Sequence, residues 1–368
     1  MIEATAIEAL VTFLTMIMIV PALRPLAVRV GLVDRPDQRK RHDRATPAVG
    51  GLAILIALAA CIVLARITPW APNFARPQIQ GLGLAAIVIV AAGVIDDLYR
   101  LRWFYRLGAQ IAAALIMIHV AGIRVEHIGS VLGFPIASLG KWSELLTIVA
   151  TVGVINAINM IDGVDGLAGS VALAATLMLT GVAIYAGNKV LAQDLGFVAG
   201  ALCGFLAYNL RTPWNRKASI FLGNAGSELL GLIIASACFR LTQNGHHPVG
   251  PQIAPFLVAP ALLDCLTLML RRVRSGVSPF VGDRNHLHHL LLDAGLTPSW
   301  VVSILTAATL AIGALALLAM KAHAAAIGFT LVFLSLWAAY FVATRRREAS
   351  VAFLARLAAE TGFLTGRA

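Results

Sequence analysis

Apolar runs of roughly 17–22 residues recur along most of this chain, each long enough to cross ~30 Å of hydrocarbon as a helix. Backbone groups in lipid must be paired within the segment or across a closed barrel, so helical runs of this length dictate a helical bundle. They fall near 4–30, 49–66, 79–95, 107–121, 142–158, 167–186, 195–210, 227–242, 252–270, 300–320 and 325–343. The expected fold is an all-α polytopic membrane protein with about eleven transmembrane helices. Hydrophobic residues make up 59% of the 368 and charged residues only 13%, a balance few water-soluble chains show. A single membrane domain is expected over 1–344. In the tail, 345–368, Val351, Leu354, Leu357 and Ala358 recur at helical intervals, as in an amphipathic helix lying on the inner surface. Between the fourth and fifth runs, "IRVEHIGSVLGFPIASLGKW" alternates apolar residues around Gly129 and Gly133 and predicts a short outside β-hairpin. The first run carries Glu3 and Glu8 and no basic leader, so no cleaved signal peptide is expected.

The net charge of +11 invites a nucleic-acid reading, but the positions of the charges explain it otherwise. Most of the 29 Lys and Arg fall on alternate connections: 35–44, 100–106, 211–217, 271–284 and the tail after Thr344. The positive-inside rule makes that side cytoplasmic, with the N-terminus outside and the C-terminus inside. These charges also suit anionic lipid headgroups or an anionic substrate, and no nucleic-acid partner is expected. Cys61, Cys203, Cys238 and Cys265 stand singly in apolar runs, which suits packing better than metal or redox work.

Four polar clusters interrupt the oil, all on the basic side. Asp96 and Asp97 end the third run in "GVIDDLYRLRW". Asn156, Asn159, Asp162 and Asp165 end the fifth in "NAINMIDGVDGLAG". "FLGNAGSELLG" opens the eighth, and "GDRNHLHHLLL" follows the ninth. Ionisable groups at such depth are costly unless paired or used, so the clusters read as walls of one site. Adjacent carboxylates such as Asp96–Asp97 repel and favour a nearby cation. Oxygen donors without cysteine suit Mg2+, or Mn2+, rather than zinc. The three-residue spacing of Asn156, Asn159, Asp162 and Asp165 predicts one side of a helix end, for nucleotide contacts or metal support. His286, His288 and His289, beside Asp283 and Arg284, suit a diphosphate; a three-histidine zinc site is the rival, weakened because His288 and His289 are adjacent. His246 and His247 read as solvated loop residues, and His119 and His323 as interfacial.

"VDRPDQRKRHDRATPAVGG", "DDLYRLRW", "NAINMIDGVDGLAG", "FLGNAGS" and "DRNHLHHLLL" occur in this order over roughly residues 30–290. On these motifs the chain resembles the polyprenyl-phosphate N-acetylhexosamine-1-phosphate transferases, which share a ground plan with the phospho-N-acetylmuramoyl-pentapeptide transferases. The spacing of "HLHH" after "DR" looks more like the first group. The resemblance implies a bacterial inner-membrane enzyme with a cytoplasmic active site, at the start of O-antigen or other envelope polysaccharide synthesis. Its substrates would be undecaprenyl phosphate and a UDP-N-acetylhexosamine, UDP-GlcNAc foremost, and a homodimer is compatible with it. It also implies that Asp97 ligates the cation and that Asp96 lies near metal or phosphate. Asn159, Asp162 and Asp165 would shape the nucleotide-sugar pocket, with Asn156 alongside. Arg284, His286 and His288 would hold the diphosphate beside Asp283 and His289. Lys40 and His42 would meet the lipid phosphate, or serve only as a positive-inside anchor.

Two residues depart from the pattern. Arg100 replaces the third acid of "DDxxD", and Asn224 stands where "FxGDxGS" has a metal-binding aspartate. Asn224 leaves open an inactive, lipid-phosphate-binding homologue. An ion-coupled transporter is a further alternative, disfavoured because its acids would sit near the midplane in repeated halves.

Overall fold

The computed structural model describes residues 2–34, 45–67, 77–129, 138–245, 249–280 and 282–361. Lys40 and His42, His246 and His247, and the centre of the anticipated hairpin lie outside these residues.

The described chain is helical almost throughout. Its first half contains α1 (Ile2–Val30), α2 (Gly50–Ile67), α3 (Pro77–Tyr99), α4 (Trp103–His119), α5 (Ser143–Ile161), α6 (Leu167–Tyr185) and α7 (Lys189–Asn209). Then come α8 (Gly223–Thr242), α9 (Ala254–Leu257), α10 (Ala259–Arg274), α11 (Leu287–Asp293), α12 (Pro298–Lys321), α13 (Ala326–Ala343) and α14 (Arg347–Glu360). Two-residue strands β1 (Val33–Asp34) and β2 (Thr46–Pro47) pair antiparallel between α1 and α2. The expected hairpin does not form at its described ends: residues 123–129 and 138–139 are irregular, and Gly140–Trp142 is a 3-10 turn. Among the described residues one main-chain bond, Leu139 N–H to Glu126 O at 2.8 Å, joins the two sides.

Among the described residues, eight helices are long and apolar enough to cross a membrane: α1, α3, α5, α6, α7, α8, α12 and α13. The other three expected crossings meet helices of a different kind. The apolar part of α2 is short, Gly50–Leu64. The 17 residues of α4 reach only about 25 Å. The run 252–270 is broken into α9 and α10, bent by 88°. Val258 sits at the break with φ −130° and ψ 22°, and Pro260 occupies the first turn of α10. A proline there lacks the N–H that would continue α9, so the bend follows from sequence. The chain is a multi-pass membrane protein.

The central post is α8, with α2, α3, α5, α6 and α7 packed around it. Its neighbours approach because small residues meet small residues. A Cβ on Gly51 of α2 would lie 2.2 Å from Gly226 N, and one on Gly93 of α3 would lie 2.3 Å from Ala225 Cα. On the far side, a Cβ on Gly231 would lie 2.4 Å from Ile155 Cα of α5. By contrast α13 buries no residue fully, and Leu331, Val332 and Leu334 face outward, as lipid contact requires.

These contacts generate a paired test. Gly93→Ala should lower stability by about 1–3 kcal/mol, because backbone lies where the methyl must go. Gly83→Ala, on the same helix with open space at its Cβ, should be neutral or slightly stabilising. Thermal unfolding in detergent separates them; equal melting temperatures would remove the close α3–α8 contact.

Candidate functional site

Asp97 ends the apolar run of α3 and caps the amino end of α8. Its Oδ1 accepts the N–H of Asn224 at 3.0 Å and its Oδ2 that of Ala225 at 3.4 Å. The first N–H groups of a helix have no partner within it and carry partial positive charge, so a carboxylate is stabilised there. Gly223 makes the approach feasible: its φ is +72°, and a Cβ would lie 2.6 Å from Asp97 Oδ2. Asp96 turns elsewhere. Its Oδ1 accepts Leu101 N–H at 2.7 Å; its Oδ2 accepts Asn224 Nδ2 at 2.8 Å and lies 3.4 Å from Arg106 Nε. The adjacent acids are therefore compensated separately, one by a helix terminus and one by a guanidinium.

From Asn224 a polar network runs inward. Asn224 Oδ1 accepts from Asn159 Nδ2 at 3.0 Å, which also donates to Ser227 Oγ at 2.8 Å. Arg106 of α4 donates to Asn159 Oδ1 at 2.9 Å and to Glu228 Oε1 at 2.8 Å. Glu228, only 1% exposed, also accepts from Gln110 at 3.1 Å, and Gln110 in turn accepts from Asn156 at 2.8 Å. A charge this deep needs every such donor. Arg106, Gln110, Asn156 and Asn159 line a cavity of about 260 Å3, closed on its other side by Arg272, Phe280 and His286. Trp103 and Phe280 stack across its wall, centroids 5.0 Å apart and 9° from parallel.

The far wall is built by α10 and the segment before α11. Arg272 is buried and directed by three contacts: Nε to Asp283 Oδ2 at 3.0 Å, Nη1 to Pro279 O at 2.8 Å, and Nη2 3.5 Å from His286 Nε2. His286 Nδ1 lies 2.8 Å from Asp264 Oδ2. The rings of His286 and His288 stack at 5.5 Å, and His289 is 4.3 Å from His288. His288 presses Nε2 against Gly163, where a Cβ would be 2.2 Å away, so "HLHH" meets "DGVDG" directly. Its Nδ1 is buried without a partner. Burial, then His289 and His286, hold the His288 imidazole well below its ordinary value and keep it neutral. Burial pushes the Asp283 carboxyl up, but Asn285 N–H and Arg272 outweigh it and hold the group below its usual range.

Several expected site residues lie elsewhere. α5 ends at Ile161, and Asp162 leaves helical geometry at ψ 62°, so the three-residue spacing does not put four polar residues on one side. Asn156 and Asn159 face the cavity; Asp162 is exposed at the helix end. Asp165 instead accepts Arg211 Nε at 2.8 Å and Ala218 N–H at 3.4 Å, tying down the 211–218 connection. Arg284 is exposed and paired with Asp293 at 3.6 Å, rather than on the cavity wall. Among the described residues no three His, Cys, Asp or Glu converge as a metal-binding group, so the zinc rival has no ligand set there. The adjacent carboxylates Asp96 and Asp97 fit Mg2+, which takes few protein carboxylates and completes its shell with water and phosphate. Asn224 fits less well as a ligand, because its carbonyl is taken by Asn159 and its amide by Asp96.

Comparison with known proteins now bears on the whole arrangement. A family model described as glycosyl transferase family 4 matches residues 79–242, the stretch that supplies Asp96, Asp97, Arg106, Asn159 and Asn224. The undecaprenyl-phosphate alpha-N-acetylglucosaminyl 1-phosphate transferase of Haemophilus influenzae is 35% identical over 298 residues, 80% of this chain and 81% of the relative. The chain belongs to glycosyl transferase family 4. Proteins of the same name from Pasteurella multocida and Escherichia coli K12 are 35% and 30% identical over 82% of this chain, covering 82% and 80% of their own lengths. As a family 4 member the chain is an enzyme, a phosphoglycosyltransferase, which favours neither the transporter nor the inactive alternative.

The cavity wall and the groups behind it include residues that sequence reasoning passed over. Arg106 and Arg272 read as topological charges, Gln110 and Asp264 lie in no motif, and Glu228 sits in "FLGNAGSELLG" with no role of its own. For Gln110, Glu228 and Asp264 the available signal is a polar side chain inside a largely apolar helix.

The histidine cluster predicts an acid-sensitive fold. Because the folded imidazole of His288 resists protonation, the unfolded chain takes up the proton first. Stability is then full above about pH 6.5 and falls as pH drops through that value. Asp283 adds in the same direction lower down, its contribution being present above 3.8 and lost on further acidification. The melting temperature in detergent should fall between about pH 7.5 and 5.5, and His288→Phe should flatten that fall. An unchanged pH dependence in the variant would assign it to other groups.

Proposed function

We propose that this enzyme transfers N-acetylglucosamine 1-phosphate from UDP-GlcNAc to undecaprenyl phosphate, releasing UMP. One observation carries the reading. Two guanidiniums, Arg106 and Arg272, and an imidazole line one cavity beside paired acids, in a chain 35% identical over 80% of its length to a transferase named for that lipid and sugar. A lipid-phosphate oxygen attacks the sugar-linked phosphorus, the bond from that phosphorus to the UMP oxygen breaks, and UMP leaves as the anion. The sugar–oxygen bond is untouched, so anomeric configuration is kept.

The chain's own residues bind and orient. Arg106 and Arg272 attract the diphosphate, each aimed by its acid, Glu228 and Asp283. Trp103 and Phe280 bound the cavity and exclude water from one side. Asp96 and Asp97 would hold Mg2+, which when bound neutralises crowded phosphate charge. A proton-accepting role for Asp96 is not required, because a phosphate monoester with second pKa of about 6 is already largely dianionic at neutral pH. Asp97 is engaged with two α8 amides, which supports a single displacement rather than attack by an aspartate.

The same reading puts the enzyme in a bacterial inner membrane, N-terminus outside and site toward the cytoplasm. α2, α4 and the bent α9–α10 pair would complete eleven crossings. Lys40 and His42 would serve the lipid phosphate, and the product would begin an envelope polysaccharide.

Purified protein given undecaprenyl phosphate, Mg2+ and UDP-GlcNAc should release UMP, and UDP-GalNAc should be used less. Asp97→Asn should lower the rate at least about 100-fold and, by weakening the α8 cap, cost about 0.5–2 kcal/mol of stability. Absence of UMP with every UDP-sugar would sink the assignment.

Asn224 provides a test that does not depend on turnover. Its amide bridges Asp96 and Asn159 without charge, so Asn224→Asp places a carboxylate where a donor stood 2.8 Å from Asp96. The variant should melt lower than the parent without divalent cation and gain more in melting temperature on adding Mg2+. Equal Mg2+ responses would remove Asn224 from the cation's neighbourhood.

A further inference from the structure

Asp264 is the single acid of α10, 3% exposed and outside every motif that drew attention in the sequence. Its carboxylate collects three donors from two parts of the chain, the 286–287 segment and α13. Oδ1 accepts Leu287 N–H at 3.1 Å and Tyr340 O–H, from α13, at 2.7 Å. Oδ2 faces His286 Nδ1 at 2.8 Å. At the other edge of the ring, Nε2 lies 3.5 Å from Arg272 Nη2. A guanidinium only donates, so Nε2 is the acceptor and the imidazole proton sits on Nδ1, pointing at Asp264. Asp283 approaches the far side of Arg272, and His288 and His289 stack around His286.

We propose that Asp264 is a positioning residue for the transfer reaction: it locks His286 in the Nδ1–H tautomer, and through Nε2 orients the Arg272 guanidinium on the cavity wall. The inference rests on the transferase reading above for its kinetic consequence, but not for its structural one. Carboxylate–imidazole pairs that fix a tautomer are a general device for aiming the second ring nitrogen. Here the device ends on an arginine.

Asp264→Asn separates this role from simple packing. Both donors on Oδ1 remain in the variant, so the amide oxygen must stay with Leu287 and Tyr340 and the NH2 must face His286. Nδ1 then becomes the acceptor, the proton moves to Nε2, and two donors confront each other at Arg272.

The first measurement is 15N NMR of histidine-labelled protein in detergent, His286 being assigned by loss of its signals in His286→Gln. The expected result is a protonated Nδ1 and bare Nε2 in the parent, reversed in Asp264→Asn. A proton on Nε2 in the parent, or no reversal in a folded variant, overturns the proposal whether or not any sugar nucleotide is turned over. If Asp264→Asn does not fold, the parent spectrum alone decides. The second is a double-mutant cycle on UMP release. Asp264→Asn should lower kcat/KM for UDP-GlcNAc about 10–100-fold, leave KM for undecaprenyl phosphate unchanged, and add nothing in a His286→Gln background. Additive losses would mean that Asp264 acts otherwise than through His286. A parent without UMP release would retire the transferase reading and leave the tautomer result standing.

Discussion

The amino end of α8 needs a negative charge, and Asp97 provides it. The first N–H groups of a helix have no partner within it, and here the end of α3 supplies the acceptor. With Asp97 on the α8 amides, Asp96 one residue earlier takes other partners, Arg106 and the Asn224 side-chain amide. Arg106 draws in Asn159 and Glu228, Glu228 takes Gln110, and Arg106, Gln110 and Asn159 form one side of the cavity wall. The tight glycine contacts among α2, α3 and α8 serve the same end, holding α3 close enough for its carboxylate to reach.

Much of this was legible in the sequence, but unevenly. Paired acids and the "NAINMID" asparagines were visible because they break long apolar runs, and they do converge. Their partners were not visible. Gln110 and Glu228 are 118 residues apart and each reads as a minor blemish in its helix. Asp264 and His286 are separated by a connection whose path no periodicity describes. Arg106 and Arg272 carried charge that topology already explained, and a residue with one sufficient explanation attracts no second. Asp165 went the other way: its motif suggested chemistry, whereas the structure gives it Arg211 and a loop to hold.

The same contrast holds for the fold. Long helices with strong hydropathy were legible to within a few residues. The bend between α9 and α10 was signalled by Pro255 and Pro260, but summed hydrophobicity across 252–270 outweighed them. The outside hairpin rested on alternation around two glycines, and its first described end adopts irregular backbone whose Glu126 and His127 groups meet the Gln243 side chain instead.

The contact between α14 and α11 bears on where a reporter attached to the tail would find itself. α12 and α13 cross as a hairpin, and an even number of passes returns a chain to the face it left. The ion pair between Arg347 and Asp293 closes that circuit, since both ends of the hairpin must then meet at the histidine segment. Parity and this contact therefore seat α14 on the same face as α11 and the histidine segment, whichever way the bundle is inserted and however many of the earlier helices traverse. A fluorescent or protease-sensitive label joined near residue 361 would share a compartment with the histidine segment, and its accessibility would orient the site without touching it.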